Sequence, residues 1–315
     1  MTRYQKLAEV RRSGVVESVH HGTVVVVMPD GSVGLRRGDA SLPVLPRSTA
    51  KPLQVLACMR AGADLTSTAL AVAAGSHIGE PIHTAEVRSI LRDAGLEENA
   101  LQCPAELPGH EATRVEMLRH GEQAAPVYMN CSGNHAAMLA ACVASGWPTE
   151  TYLDPNHPVQ RLVCEVVSEL AEEQVEHVAV DGCGSPIFTI SSLGMARATR
   201  AMMLATPGEA SRTIFDAMRS HPEFVGGSHN HVNTDLMNRM PGLVAKSGAE
   251  GTLLLATEAG HAAMIKVADG GPRAVPAIGL AALAAVGIDV GPVSELLTTS
   301  VIGPVRIPDA VHVTL

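Results

Sequence analysis

The chain has 315 residues and a formal net charge of -9, long enough to bury a sizeable core in one large domain or two small ones. Hydrophobic residues make up 46% and charged residues 17%, as in a globular protein, and one Trp, three Tyr and three Phe are all that is available to stack on bases. That aromatic poverty and the acidic balance exclude a nucleic-acid reader, whose affinity comes from Lys and Arg on phosphate.

At the start of the chain, Arg3, Lys6, Arg11 and Arg12 precede no apolar core, unlike a secretory leader. Residues 15–35 have β character: an apolar run at 23–28, a Pro29-Asp30-Gly31 turn and a return strand at 32–35 spell a hairpin. Between residues 48 and 221 the apolar positions recur at helical spacing, predicting helices over 51–61, 82–91, 136–143, 159–170 and 210–218. Strand-like runs return at 178–180, 253–256 and 262–267. The longest apolar stretch, 276–290, is Ala-rich, interrupted by Gly and too short to span a bilayer, so it reads as a buried helix. Strands from both ends then form one antiparallel sheet with a largely helical middle region: an α/β fold in a single domain over 1–315. Its sheet segments fall at about 10–45 and 245–315, its helical region at about 48–240, and no Ser/Gly/Pro linker divides it. Six cysteines are scattered without a small-domain disulfide spacing, which suits reduced thiols in a cytoplasm.

Only four of the 23 basic residues are lysine: Lys6, Lys51, Lys246 and Lys266. Arginine stays protonated in a protein, whereas a partly buried lysine lowers its pKa and serves as a base, so each retained lysine asks for a reason. Ser48-Thr49-Ala50-Lys51 is an S-x-x-K element at the start of a predicted helix, with both side chains on one face a turn apart. Pro52 is tolerated in such a first turn. A neutral Lys51 there can take the Ser48 proton, the activated nucleophile of covalent hydrolases; the plain alternative is a helix N-cap beside a surface lysine.

Lys246-Ser247-Gly248, just before a predicted strand, is the K-[ST]-G element that serine β-lactamases and penicillin-binding proteins set opposite their S-x-x-K. A second cation there depresses the pKa of Lys51 or holds a substrate carboxylate. Ser132-Gly133-Asn134 falls between the two, in the serial position of S-D-N, and equally reads as a turn. Lys266 lies in an alternating run and reads as an exposed strand position. His20, His21, His110, His120, His157 and His221 read as solvated, and His229 and His231 as lining a substrate loop.

Four loop clusters follow in order: Gly75-Ser-His-Ile-Gly-Glu80, Asn130-Cys-Ser-Gly-Asn-His135, Asp181-Gly-Cys-Gly-Ser-Pro186 and Lys246-Ser-Gly-Ala-Glu-Gly251. Across nearly the whole chain, these elements resemble the L-asparaginase II family, the Rhizobium-type or thermolabile asparaginases. The resemblance implies a serine β-lactamase/glutaminase-like fold and hydrolysis of L-asparagine to L-aspartate and ammonia. It also implies a cytoplasmic homodimer with a small amino-acid amide as substrate, no organic cofactor, no nucleic acid and no membrane partner. Ser48 with Lys51 is then one Ser-Lys pair, with Ser48 the nucleophile and Lys51 its base and acid, and Ser76 with Lys246 is a second. Arg47 takes the substrate carboxylate and Asp181 its ammonium, with Asn134 and His135 beside them.

The family reads C-S-G-K-H where this chain has Cys131-Ser-Gly-Asn-His135. In the Rhizobium type that lysine joins two cysteines, matched here by Cys131 and Cys183, around zinc. Asn134 therefore bears on whether zinc is held. Two thiolates with His135 or water make one outcome, and two cysteines packed as small apolar side chains the other. Alternative functions are a glutaminase or β-lactam hydrolase of the same fold, or a non-catalytic amino-acid or zinc binder. One methylene in a pocket is worth about 1 to 3 kcal/mol, so fold analogy does not separate asparagine from glutamine.

Overall fold

The computed structural model describes residues 3–302 and 305–315. Strands β1 (Gln5–Arg12) and β2 (Val15–Val27) are joined by Ser13 and Gly14. Both turn residues have positive φ, 49° and 84°, as a two-residue hairpin loop with matching twist demands. The expected second hairpin follows, returning as β3 (Val33–Arg37). Its turn is closed by Met28 N donating to Ser32 O at 2.8 Å, with Gly31 at φ 89°.

After the short β4 (Pro43–Val44) and a 3-10 turn at Arg47–Ala50 come α1 (Lys51–Arg60), α2 (Ser67–Ala74) and α3 (Pro81–Asp93). They are followed by α4 (Glu111–Arg119), α5 (Ser132–Ser145) and α6 (Pro158–Ala171). Strand β5 (Val178–Val180) pairs only with β6 (Pro186–Phe188), and β7 (Ile190–Ser191) with β4. Helices α7 (Ser192–Leu204), α8 (Ala210–Ser220), α9 (Pro222–Val225) and α10 (Val232–Arg239) lead into β8 (Leu243–Gly248), β9 (Thr252–Thr257) and β10 (Ala262–Val267). The chain ends on α11 (Val275–Ala285), β11 (Ser300–Ile302), β12 (Val305–Ile307) and β13 (Val311–Val313).

Strands from both ends share one antiparallel seven-stranded sheet, in the order β13-β1-β2-β10-β9-β8 with β3 also on β2. Every residue of β9 is buried, because helices cover both faces. Register settles which helix lies where. Gly279 of α11 packs against Leu253, Leu255 and Ile265. On the opposite face the Ser192 hydroxyl of α7 lies 3.2 Å from that of Thr23, whose register partners are Lys266 and then Thr252. Lys246 is paired with Leu254, so it belongs to the α7 face and points at the helices.

Several expectations need correction. The sheet starts at Gln5 rather than near residue 10, and residues 178–180 form a strand outside it. Helices α2, α4, α7, α9 and α10 were not anticipated. His20 and His157 are buried, not solvated: His20 Nδ1 meets Asp269 Oδ2 at 2.9 Å, and His157 Nδ1 caps α6 by accepting from Val159 N at 3.2 Å. Among the described residues no helix is long and apolar enough to cross a membrane.

The tightest point of the sheet is Gly22, where β2 passes from pairing with β1 to pairing with β10. A Cβ there would sit 2.1 Å from Lys266 O, a backbone atom that cannot swing aside. We expect Gly22→Ala to cost about 1 to 3 kcal/mol, read as a lower urea midpoint; an unchanged midpoint would show that the crossing is not tight.

Candidate active site

The turn that carries Ser48 is strained and tied. Arg47 has φ 53°, the left-handed region that costs a non-glycine residue about 1 to 3 kcal/mol. It is held there by its Nε donating to Asp181 Oδ1 at 2.7 Å. The turn leaves Ser48 half-buried, and the Ser48 hydroxyl bonds to no described residue. Gly248 makes this approach possible: a Cβ on it would meet Thr252 Oγ1 at 2.4 Å and the Ser48 and Thr49 amide nitrogens at 3.2 Å.

From the first turn of α1, Lys51 Nζ donates to Gly75 O at 2.5 Å, Ser76 Oγ at 3.2 Å and Asn130 O at 3.3 Å. Three acceptors match the three N–H groups of an ammonium. From β8, Lys246 Nζ reaches the same Ser76 Oγ at 2.9 Å and Ser247 O at 2.5 Å. Ser76 is thus the hydroxyl between two lysines. Its loop is fixed by Ser76 N donating to Val225 O at 2.7 Å, and Gly75 is needed there because a Cβ would lie 2.8 Å from Phe224 O.

The two lysines differ in surroundings. Lys246 is 0% exposed, and burial, reinforced by repulsion from Lys51, pushes its ammonium well below the ordinary lysine range. The histidines around the site are neutral for the same reason. Burial holds His77 well below its usual value, with His83 and Lys51 adding repulsion, and takes His135 down to about 3 and His231 to about 4. His77 Nδ1 accepts from Gly79 N at 3.2 Å, so Nε2 carries the proton and donates to Ser132 Oγ at 2.9 Å.

Serial order therefore misled at one motif. Ser132 is buried in the first turn of α5 with its hydroxyl donated to Val127 O at 2.8 Å; the serine that meets both lysines is Ser76. Asn134 donates its amide to Ala73 O at 3.1 Å, and His135 Nδ1 meets the Tyr152 hydroxyl at 2.7 Å, while His135 Nε2 is buried without a partner. Asn134 and His135 lie in helix packing. Arg47 and Asp181, expected to take opposite ends of a substrate, here bond to each other.

Ser48 and Ser76 open on a cavity of about 380 Å³ with Tyr128, Asn130, His231, Ser247 and Gly248. A second cavity of about 940 Å³ adjoins it through Ile78, Gly109, His231, Ser247 and Gly248. His231 came from the predicted loop cluster and lines both; His229 lines the larger. Sequence reasoning missed Tyr128, Asn130 and His77. His77 lies inside the Ser-His-x-Gly-Glu element, which was the available signal.

Cys131 and Cys183 do come together. Interaction with Cys183, with Lys51 nearby, lowers Cys131 against the opposing effect of burial and raises Cys183, while the Cys131 thiol donates to Asn130 Oδ1 at 2.9 Å. Among the described residues no third His, Cys, Asp or Glu joins them in a group able to hold a metal ion. The third position of the expected set is Asn134, committed to Ala73. The donor set stops at two thiols and falls short of tetrahedral zinc.

A family model described as L-asparaginase II matches residues 8–310. The chain belongs to the L-asparaginase II family. No curated protein matches it. Among solved structures, similarity to a β-lactamase from Mycobacterium bovis runs at 15% identity over 85% of this chain and 95% of that one, with a TM-score of 0.47. A putative β-lactamase from Bacteroides dorei gives 14% identity, 78% and 84% coverage and a TM-score of 0.42. Mglu in its native form gives 13% identity and a TM-score of 0.41 over 78% of this chain, which spans 55% of the length of that one.

Two outcomes follow for this family member. Gly248→Ala should displace the Ser48 turn, lowering turnover at least about tenfold, since small misplacements cost up to about a hundredfold; undiminished turnover would show that the turn tolerates a Cβ. Exhaustive dialysis against a zinc chelator should leave the melting temperature unchanged, and a drop of several degrees would reveal a bound ion that these two thiols hold.

Proposed function

We propose that the protein is an L-asparagine amidohydrolase working through an acyl-enzyme on Ser48. The reading is carried by one observation: the Ser76 hydroxyl lies between Lys51 and Lys246, in a cavity onto which the unbonded Ser48 hydroxyl also opens. Ser48 Oγ attacks the side-chain amide carbon, and its proton passes through Ser76 to Lys246, the lysine that burial keeps uncharged. In this reading the proton moves to Lys246, not to Lys51. Lys51 donates to Ser76, holds it in line and stabilises negative charge nearby, an interaction strengthened where water is excluded.

Collapse of the tetrahedral adduct breaks the C–N bond as the Lys246–Ser76 relay returns the proton to nitrogen, and ammonia leaves. Water then attacks the ester with the same relay as base, restoring Ser48 and releasing aspartate. The Arg47–Asp181 pair suits the other end of the substrate, because an α-amino acid brings one carboxylate and one ammonium to a preformed couple of opposite charges. Backbone N–H groups where Gly248 passes Ser48 suit a developing oxyanion.

The test is ammonia release from asparagine and glutamine by wild type and variants. Ser48→Ala should fall by about 10³-fold or more, and Lys246→Met by about 10² to 10⁴-fold; Ser48→Ala at wild-type rate overturns the mechanism. Since Lys246 must be neutral and its pKa is depressed, the rate should fall as pH drops through that lowered value. A rate that appears only near the ordinary lysine value of about 10.4 would assign the base elsewhere. Faster turnover of glutamine would move the substrate by one methylene without touching the mechanism.

A further inference from the structure

An asparagine leaving group is only ammonia, yet the Ser48 cavity of about 380 Å³ opens into one of about 940 Å³. Cavities of several hundred cubic ångströms hold ligands well beyond the size of a single amino acid. The two share Ile78, Gly109, His231, Ser247 and Gly248, the last two next to Lys246. Arg47 and Asp181 line neither cavity, so nothing of that pair takes up the larger space.

The walls describe what fits. Ile78, Val115, Val232, Val275 and Pro276 make an apolar lining. The charges are acidic on balance. Arg119 and Glu116, both on α4, lie 3.6 Å apart and offset each other. Glu80 accepts from Ser228 N at 3.1 Å and from the Ser228 hydroxyl at 2.5 Å. Glu111, at the first turn of α4, has no partner among the described residues. An aliphatic chain suits the middle of such a space, and a cation suits its acidic rim.

We infer that the site also takes, and prefers, secondary amides: an aspartate-type side-chain carboxyl joined to an aliphatic amine that carries a second, cationic nitrogen. The inference rests on the proposed function for its chemistry. The Ser48 Oγ–C bond forms, the C–N bond breaks, the departing amine takes the proton from the Lys246–Ser76 relay and enters the larger cavity, and water then cleaves the ester to aspartate. Asparagine is the smallest member of the class.

The experiment measures kcat/KM of the full chain on asparagine, N4-butylasparagine, N4-(4-aminobutyl)asparagine and β-aspartylglycine, following ammonia or free amine. The aminobutyl compound should exceed asparagine by about tenfold or more, with the butyl compound between them and the carboxylate-bearing β-aspartylglycine lowest, since a well-placed charge pair is worth about a factor of ten. Val115→Arg, on the wall of the larger cavity only, should lower turnover of the aminobutyl compound at least about tenfold and leave asparagine within about twofold. Glu111→Gln should erase the advantage of aminobutyl over butyl. Hydrolysis of asparagine without the substituted amides overturns the inference and leaves the proposed function standing, whereas no hydrolysis of any compound overturns both. Equal losses on asparagine and the aminobutyl compound in Val115→Arg also overturn it. Hydrolysis of the substituted amides alone upholds the inference and removes asparagine as a substrate.

Discussion

Lys246 is kept dry while Ser76 still reaches it, and the arrangement of the site follows from that constraint. The residue sits on β8 facing the helices, 0% exposed. An uncharged amine in that position costs less than a buried ammonium, and the second lysine can then be the charged one. Lys51 has a full set of acceptors, and Cys131, whose thiol is lowered by Cys183 and by Lys51, lies beside it. Three neutral imidazoles, those of His77, His135 and His231, complete the surroundings without adding charge.

Glycine placement is the backbone counterpart of this electrostatic design. Gly75 lets the Ser76 loop press on Phe224 and Val225, and Gly248 lets the edge of β8 pass the Ser48 turn. Each brings a reacting side chain closer than any Cβ would permit. The strained Arg47 works with them, its geometry fixed by Asp181 rather than by the local sequence.

The parts of this site that were legible in the sequence are the local ones. Ser48 and Lys51 sit three residues apart and Lys246-Ser247-Gly248 is contiguous, so spacing alone found them. The hairpin at Pro29-Asp30-Gly31 and most helices were readable from turn chemistry and period for the same reason. What spacing cannot supply is distance in space. Ser76 meets Lys51 across 25 residues and Lys246 across 170, and nothing in serial order distinguishes it from Ser132. Strand β1 escaped because the exposed Lys6 and Arg11 and the half-buried Glu9 pair with one another and obscure the buried Leu7, Ala8 and Val10 between them. Helix α7 escaped because Ala and Met give a weak periodic signal, although Ser191 caps it by accepting from Gly194 N at 2.9 Å.

The pairing of β2 with β10, and of β1 with β13, has a consequence for how the protein is made. On the ribosome, β1 and β2 wait for partners encoded some 240 to 300 positions later, a separation that follows directly from the register of Val24 with Ile265 and of Glu9 with His312. Until then β1 and β2 present an open apolar edge, and the non-local closure of a sheet of this kind is slow and prone to association. Lys246 reaches Ser76 only within that late assembly. Until the sheet is complete, Ser76 and Lys51 are therefore without the contact that Lys246 makes from β8.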